Sequence, residues 1–211
     1  MTTIYYHPLS FPSLTTIFVA EFIGIDYEKI IVDLSKREHK SEDYLKINPV
    51  GKIPAMSDGD FNMSEAVAIS RYLAARENSP LYGGGLQHQA KVDQWMDFVV
   101  QDIRMNVGRV HFNRVIGPML GASVDPDAVK LGLKLLEKSL PHAEAQLELT
   151  PYLCGDDISL ADIVLLASLE PVNMAKIDLS SYPAVQAFLS SMREETFYTN
   201  VHTHYGEELG L

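Results

Sequence analysis

A hydroxyl placed where a strand runs into a helix can hold an anion without help from a metal or a base. Ser10 occupies such a place. Thr3, Ile4, Tyr5 and Tyr6 form a β-branched and aromatic strand pattern, Pro8 marks the turn, and helical spacing is established by residue 15. Unpaired N–H groups and the dipole at a helix start favour negative charge. An ordinary thiol has a pKa of roughly 8.5 and is only a few per cent ionised near neutrality. Lowering that value by about two units takes roughly 2.7 kcal/mol. One hydrogen bond from a hydroxyl to a charged acceptor contributes about 1.5–3 kcal/mol, so Ser10 with helix-end donors suffices. In isolation Ser10 reads as a helix cap, and Ser13 competes for either role. No Gly-x-Ser-x-Gly elbow accompanies it, which removes Ser-His-Asp hydrolysis. Tyr5 and Tyr6 carry phenols, but their places on the strand assign them to packing.

Other chemistry-bearing residues sort themselves by position. Arg104 and His111 are seven apart, about two helical turns, so they share a face of a long helical segment, with Met105 beside them. Read for packing alone, Met105 and Phe112 are core and the charged pair is solvated. Ser159 and Asp162, three apart before an apolar run, make a capping-box helix start rather than a catalytic dyad. His202 and His204 lack a third ligand and read as surface, so no metal is expected. The single cysteine, Cys154, removes disulfide frameworks and paired-cysteine zinc sites and fits a reducing cytosol.

The elements that must position these groups fall into two grammars. The chain has 211 residues, 46% hydrophobic and 21% charged, enough to fill a real core. Its formal net charge of −11 repels phosphate backbones, so nucleic acid is not an expected partner. No stretch approaches the roughly 20 apolar residues of a membrane span, and no basic leader precedes an apolar segment, so a cytoplasmic location is expected. Residues 3–6 and 27–34 read as strands, and residues 53–61 as a short strand, a tight turn and another strand, with helices over 15–24 and 65–76 and a short turn or helix over 41–47. That βαβ–ββα order builds a mixed four-stranded sheet with helices on both faces. Residues 78–86, rich in glycine with Pro80, read as a linker between a domain at 1–77 and an all-helical one at 87–211. In the latter, helices are expected over 87–120, broken or ended by Gly117-Pro118, and from a cap at Asp125-Pro126 to 149. Two more are expected over 159–175 and 183–192.

Several motifs in order and spacing resemble the cytosolic glutathione S-transferases, of phi/theta-like serine type. His7-Pro8-Leu9-Ser10 looks like the phi-class His-Pro-x-Ser element. Glu38-His39-Lys40, Tyr44-Leu45 and Asn48-Pro49-Val50-Gly51-Lys52-Ile53-Pro54 match the phi and theta pattern. Glu65-Ala66-Val67-Ala68-Ile69 resembles Glu-Ser-x-Ala-Ile, and residues 155–162 match the Gly-x-x-x-Ser/Thr-x-x-Asp element of the helical domain. The resemblance spans almost the whole chain.

It implies a thioredoxin-like N-terminal domain followed by a C-terminal helical bundle. It also implies glutathione as co-substrate, a small hydrophobic electrophile, detoxifying conjugation and a homodimer. Ser10 is then the catalytic donor to the glutathione thiolate. A cis Ile53–Pro54 bond is implied, with Ile53 pairing the tripeptide backbone as an added strand. Glu65 and the helix start at Ala66 would hold the γ-glutamyl end. His39 or Lys40, with Lys52, would meet the glycyl carboxylate, although a lysine on a surface is often merely solvated. Phe11, Arg104, Met105 and His111 are candidates for the electrophile pocket, placed between the domains. No cysteine sits in the strand-to-helix turn, which argues against thiol-exchange relatives. Two departures matter: Ala66 replaces the usual serine, predicting weaker glutathione binding, and Val50 stands where the phi aromatic key would be. A glutathione-dependent isomerase, dehalogenase or ether-cleaving enzyme, and a weakly catalytic glutathione-transferase-like binding protein, are the alternative readings.

Overall fold

A computed structural model describes residues 1–203, and the chain divides into two compact units, Met1–Gly83 with the tail from Glu194, and Gly84–Arg193. In the first unit β1 (Thr2–Tyr6) pairs in parallel with β2 (Tyr27–Ile31) and antiparallel with β3 (Ala55–Asp58), which pairs antiparallel with β4 (Phe61–Ser64). The order is β2-β1-β3-β4. Strand β2 ends at Ile31, short of the expected residue 34, because Asp33 accepts the N–H groups of Ser35 and Lys36 and turns the chain.

Helix α1 (Phe11–Ile23) follows β1 and stops at Gly24, whose φ of 74° closes the last turn. Short α2 (Glu42–Ile47) is capped by Ser41, which accepts the N–H of Tyr44. Helix α3 (Ala66–Arg76) follows β4. Residues 13–20 of α1 are all buried, on every face of the helix, which a sheet and one neighbouring helix cannot cover. The remaining cover is a helix from the far end of the chain. It runs from Thr196 to Thr203, and its Phe197 ring lies 5.8 Å from that of Phe18. His202, expected on the surface, stacks on Tyr198 at 4.0 Å and faces Phe18 at 5.7 Å. The expected boundary, with all of 87–211 in the helical domain, therefore differs at the tail. His204 lies outside the described residues.

The second unit opens with a nearly continuous helical run. It comprises α4 (Gly85–Phe98), a π-helical stretch (Val99–Arg104), α5 (Met105–His111), a second π-helical stretch (Phe112–Ile116) and α6 (Gly117–Met119). The run passes through Gly117-Pro118 and ends after Met119, with Gly121 at φ 74° closing it. Helix α7 (Pro126–Leu149) starts at Asp125, whose carboxylate accepts the N–H groups of Asp127 and Ala128. It crosses α5 at Gly132, where a Cβ would come within 2.8 Å of Val110 Cγ2. Helix α8 (Leu160–Leu169) is buried along its whole length and forms the axis of the core. It is shorter than expected because Pro171 tightens the chain into a 3₁₀ turn. Helix α9 (Pro183–Glu194) completes the unit, and the tail helix is α10. Among the described residues no helix is long and apolar enough to cross a membrane.

Candidate active site

Strand register brings the candidate residues of the first unit to one edge of the sheet. Tyr5 pairs with Ala55, and Ala55 with Ser64. One step further along, the His7-to-Ser10 turn, Ile53-Pro54 and Glu65-Ala66 all leave the sheet at the same end. Both α1 and α3 start there, so two helix N-termini share that edge.

Ser10 is the N-cap of α1, with extended backbone at φ −95° and ψ 101°. Its Oγ accepts the backbone N–H of Ser13 at 3.3 Å and the hydroxyl of Ser13 at 3.0 Å. Among the described residues nothing accepts the proton of Ser10 itself. The backbone N–H of Ser10 donates to the His7 carbonyl at 2.9 Å, and Leu9 N–H donates to His7 Nδ1 at 3.2 Å. The His7 ring is partly buried and burial lowers its pKa, against the pull of Asp33, which agrees with an accepting Nδ1.

The Ile53–Pro54 peptide is cis. The loop before it is pinned from three sides. The carbonyl of Lys52 accepts Tyr44 Oη–H at 2.7 Å and Asn48 Nδ2–H at 2.6 Å. Lys40 Nζ donates to the Gly51 carbonyl at 2.7 Å and to that of Val50 at 3.3 Å. Gly51 makes this approach available: at φ 63°, a Cβ there would lie 2.7 Å from Lys40 Nζ. Lys40 is thus a loop clamp as well as a cation, a role its sequence position did not reveal. Lys52 is exposed and extends from the same loop. His39 keeps an unpartnered, buried Nδ1, and burial, with Lys40 and Arg37 nearby, lowers its pKa.

Glu65 is exposed at φ 71° and ψ 110°, a conformation that side-chain-bearing residues avoid, and its carboxylate makes no capping bond. Strain of this kind costs about 1–3 kcal/mol and points to a functional constraint. Ala66 opens α3 with its methyl buried and no hydroxyl to offer. Phe11, the first residue of α1, is half-buried beside Ser10.

The helical-unit candidates do not stay together. Arg104 is 8% exposed and donates through Nε to Ser168 Oγ at 2.9 Å and through Nη2 to the Val164 carbonyl at 3.3 Å. Burial brings its pKa down to about 10, so it remains a cation. His111 is 5% exposed, and burial lowers its pKa. The two do share a buried face, so a solvated charged pair is corrected: they are buried in the helical core. Phe112, which packing alone places in the core, is instead 49% exposed. Met105 turns the other way, at 59% exposure, and borders a cavity of about 380 Å³ with Phe98, Asn106, Arg109 and His142. Neither Arg104 nor His111 borders that cavity. Neighbouring residues of a helix point about 100° apart, so Met105 leaves the face that Arg104 and His111, seven residues apart, share.

The capping box at α8 forms as read. Asp162 Oδ2 accepts the Ser159 N–H at 2.9 Å and its hydroxyl at 2.6 Å, while Oδ1 accepts Leu153 N–H at 2.8 Å. Cys154 is half-buried, and burial pushes its thiol up to about 11, an unreactive setting. No cluster of three metal-binding side chains occurs among the described residues.

Fold and site together define a thioredoxin-like domain joined to a bundle of helices. Two family models match the chain: the glutathione S-transferase N-terminal domain over residues 1–75 and the C-terminal domain over 102–195. Glutathione S-transferase 1 of Zea mays is 37% identical over 179 residues, covering 82% of this chain and 83% of that protein. Human glutathione S-transferase theta-2 is 34% identical, covering 78% and 69%. The solved maize glutathione S-transferase I in complex with an atrazine glutathione conjugate superposes with a TM-score of 0.86 at 31% identity, covering 95% of each chain. This chain belongs to the glutathione S-transferase family, on its phi/theta-like side.

Proposed function

We propose that this protein is a glutathione transferase in which Ser10 stabilises the glutathione thiolate for attack on an electrophilic carbon. The observation that carries the reading is the state of the Ser10 hydroxyl. Its oxygen already accepts two donors from Ser13, and its own proton has no acceptor among the described residues, at a helix start beyond the end of β1. A sulfur anion completes that geometry. The sulfur forms the new carbon–sulfur bond with the thiolate pair, and the leaving group departs with its own electrons, or a proton completes an addition. The related maize structure, with a glutathione conjugate bound, supports conjugation over the isomerase, dehalogenase and scaffold readings. Retention on glutathione resin, followed by turnover of a generic chloronitrobenzene, tests this directly. Binding without turnover would sink it.

The tripeptide is read as lying along Ile53 as an added strand, with its γ-glutamyl end at Glu65 and the α3 start. Its glycyl carboxylate reaches His39, Lys40 and Lys52. Phe11 gives the electrophile an apolar surface beside Ser10. A cytoplasmic homodimer is the assembly and location supported by the family, with Val50 and Phe61 as exposed apolar contacts at 57% and 49%.

Two results are expected of this arrangement. Ala66→Ser restores a hydroxyl donor at the α3 start, and the glutathione KM should fall roughly fivefold, from about 1 kcal/mol of added hydrogen bonding. An unchanged KM would remove Ala66 from the γ-glutamyl contact. The second concerns pH. His39 is neutral at neutral pH because burial lowers its pKa from the ordinary 6.5. It gains charge, and attraction for a carboxylate, only as pH falls. S-methylglutathione, which has no thiol to titrate, should therefore bind more tightly as pH drops below that range, by roughly two- to fivefold for a part-exposed pair. His39→Gln should flatten the trend. Calorimetric titrations across the range read both.

A further inference from the structure

The start of α1 departs from the usual capping box in a way that concerns the reactive oxygen. Ordinarily the N-cap side chain accepts the N–H three residues on, and the side chain at that third position reaches back to the N-cap N–H. Here the first half is present, since Ser13 N–H donates to Ser10 Oγ. The second half is not needed, because Ser10 N–H already donates to the His7 carbonyl. The third-position side chain is a serine that turns instead to the Ser10 oxygen, donating at 3.0 Å. Ser13 is fully buried, at 0% exposure, so this bond is shielded from competing water. A serine oxygen has two lone pairs and one proton. With both accepting positions occupied by Ser13, the hydroxyl of Ser10 has one remaining use, which is to donate outward.

We infer that Ser13 is a positioning residue for the conjugation reaction, fixing Ser10 as an outward donor and polarising its O–H toward the thiolate. The inference rests on the reading of Ser10 given above. Hydrogen bonds in a chain strengthen one another in a low-dielectric setting, so a donor behind Ser10 makes its proton the better donor in front. Ser13 itself touches no reacting atom.

The test reads the thiol pKa of bound glutathione from its ultraviolet absorbance, in the wild type, Ser13→Ala, Ser10→Ala and the double variant. Ser13→Ala should raise the pKa by roughly 0.3–0.8 unit, a two- to sixfold change in thiolate fraction at pH values below that pKa. kcat/KM should fall by the same factor while the glutathione KM stays put. In the Ser10→Ala background the same substitution should shift nothing further. Ser13→Cys, close in volume with a weak donor, should move the pKa in the same direction and serves if the alanine variant fails to fold. A pKa raised in Ser10→Ala but untouched in Ser13→Ala overturns this inference and leaves the proposed function standing. An equal shift in both backgrounds also overturns it, because Ser13 would then act without Ser10. If Ser10→Ala leaves the thiol pKa unmoved, the function reading fails first and takes this one with it.

Discussion

Replacing Ser10 with alanine should lower kcat/KM for conjugation roughly 10- to 150-fold at pH values below the pKa of the bound thiol, the equivalent of one charge-assisted hydrogen bond of about 1.5–3 kcal/mol. The sign follows from the donor's preference. A hydroxyl that stabilises the anion depresses the thiol pKa, so its loss returns the thiol by about 1–2 units toward its unperturbed value. The deficit should therefore be greatest on the acid side of neutrality and close as the pH passes the unperturbed thiol pKa, where solution alone ionises glutathione. The acid limb of the pH–rate profile moves up while its plateau stays nearly level. Glutathione KM should change little, because Glu65, Ile53 and the cations are untouched. Ser10 is also the helix cap, and its loss orphans the Ser13 N–H and hydroxyl, so the melting temperature should fall as well, by the equivalent of about 1 kcal/mol. The two roles separate cleanly. Cap loss moves the melting temperature, whereas only donor loss moves the thiol titration. Equal rates for both proteins over the whole neutral range would leave Ser10 as a cap and nothing more.

What the sequence disclosed was what local chemistry dictates. Alternation marked the strands, and Ser41, Asp125 and Ser159 marked helix starts, because a cap acts within three residues of itself. The residues of the sheet edge were legible for the same reason: each closes or opens an element, and strand register then gathers them. Long-range relations were not legible. Seven-residue spacing put Arg104 and His111 on one face but could not say that α8 receives the Arg104 guanidinium. Nor did Phe197 and Tyr198 announce a helix, being two aromatics in a segment too short for a clear period. The clue lay elsewhere, in the long run of small and apolar residues over 13–20 of α1 with no charge among them, which required a third cover. The positive φ of Glu65 was also hidden, since no glycine marks it. Of the candidate site, the place of each residue along the chain could be read, while the orientation of the Ser10 oxygen and the clamp made by Lys40 depended on which partner each side chain found.

The second large effect belongs to Asp162, and it falls on stability rather than chemistry. Its carboxylate is fully buried and faces three donors: Leu153 N–H, Ser159 N–H and Ser159 Oγ–H. Burial pushes its pKa up to about 6, yet it remains ionised at neutral pH, so all three donors meet a charge. Asp162→Ala strands them together in a dry core, at the start of the helix on which the unit is built. An orphaned buried donor costs about 1–3 kcal/mol, and three that share one site give a combined loss of roughly 3–5 kcal/mol, less than their sum. For a chain of this size that corresponds to a fall in melting temperature of about 10 °C or more. Asp162→Asn should fall between, since its carbonyl still accepts one donor while its amide opposes another. Trp95, the single tryptophan, lies in α4 of the same unit, so its fluorescence follows the transition. Protein that remains folded at low temperature should keep kcat/KM within about twofold of the parent, because no reacting group has changed. A melting point within a degree or two of the parent would show that the box is redundant, and a folded variant without activity would show that it is something more than a cap.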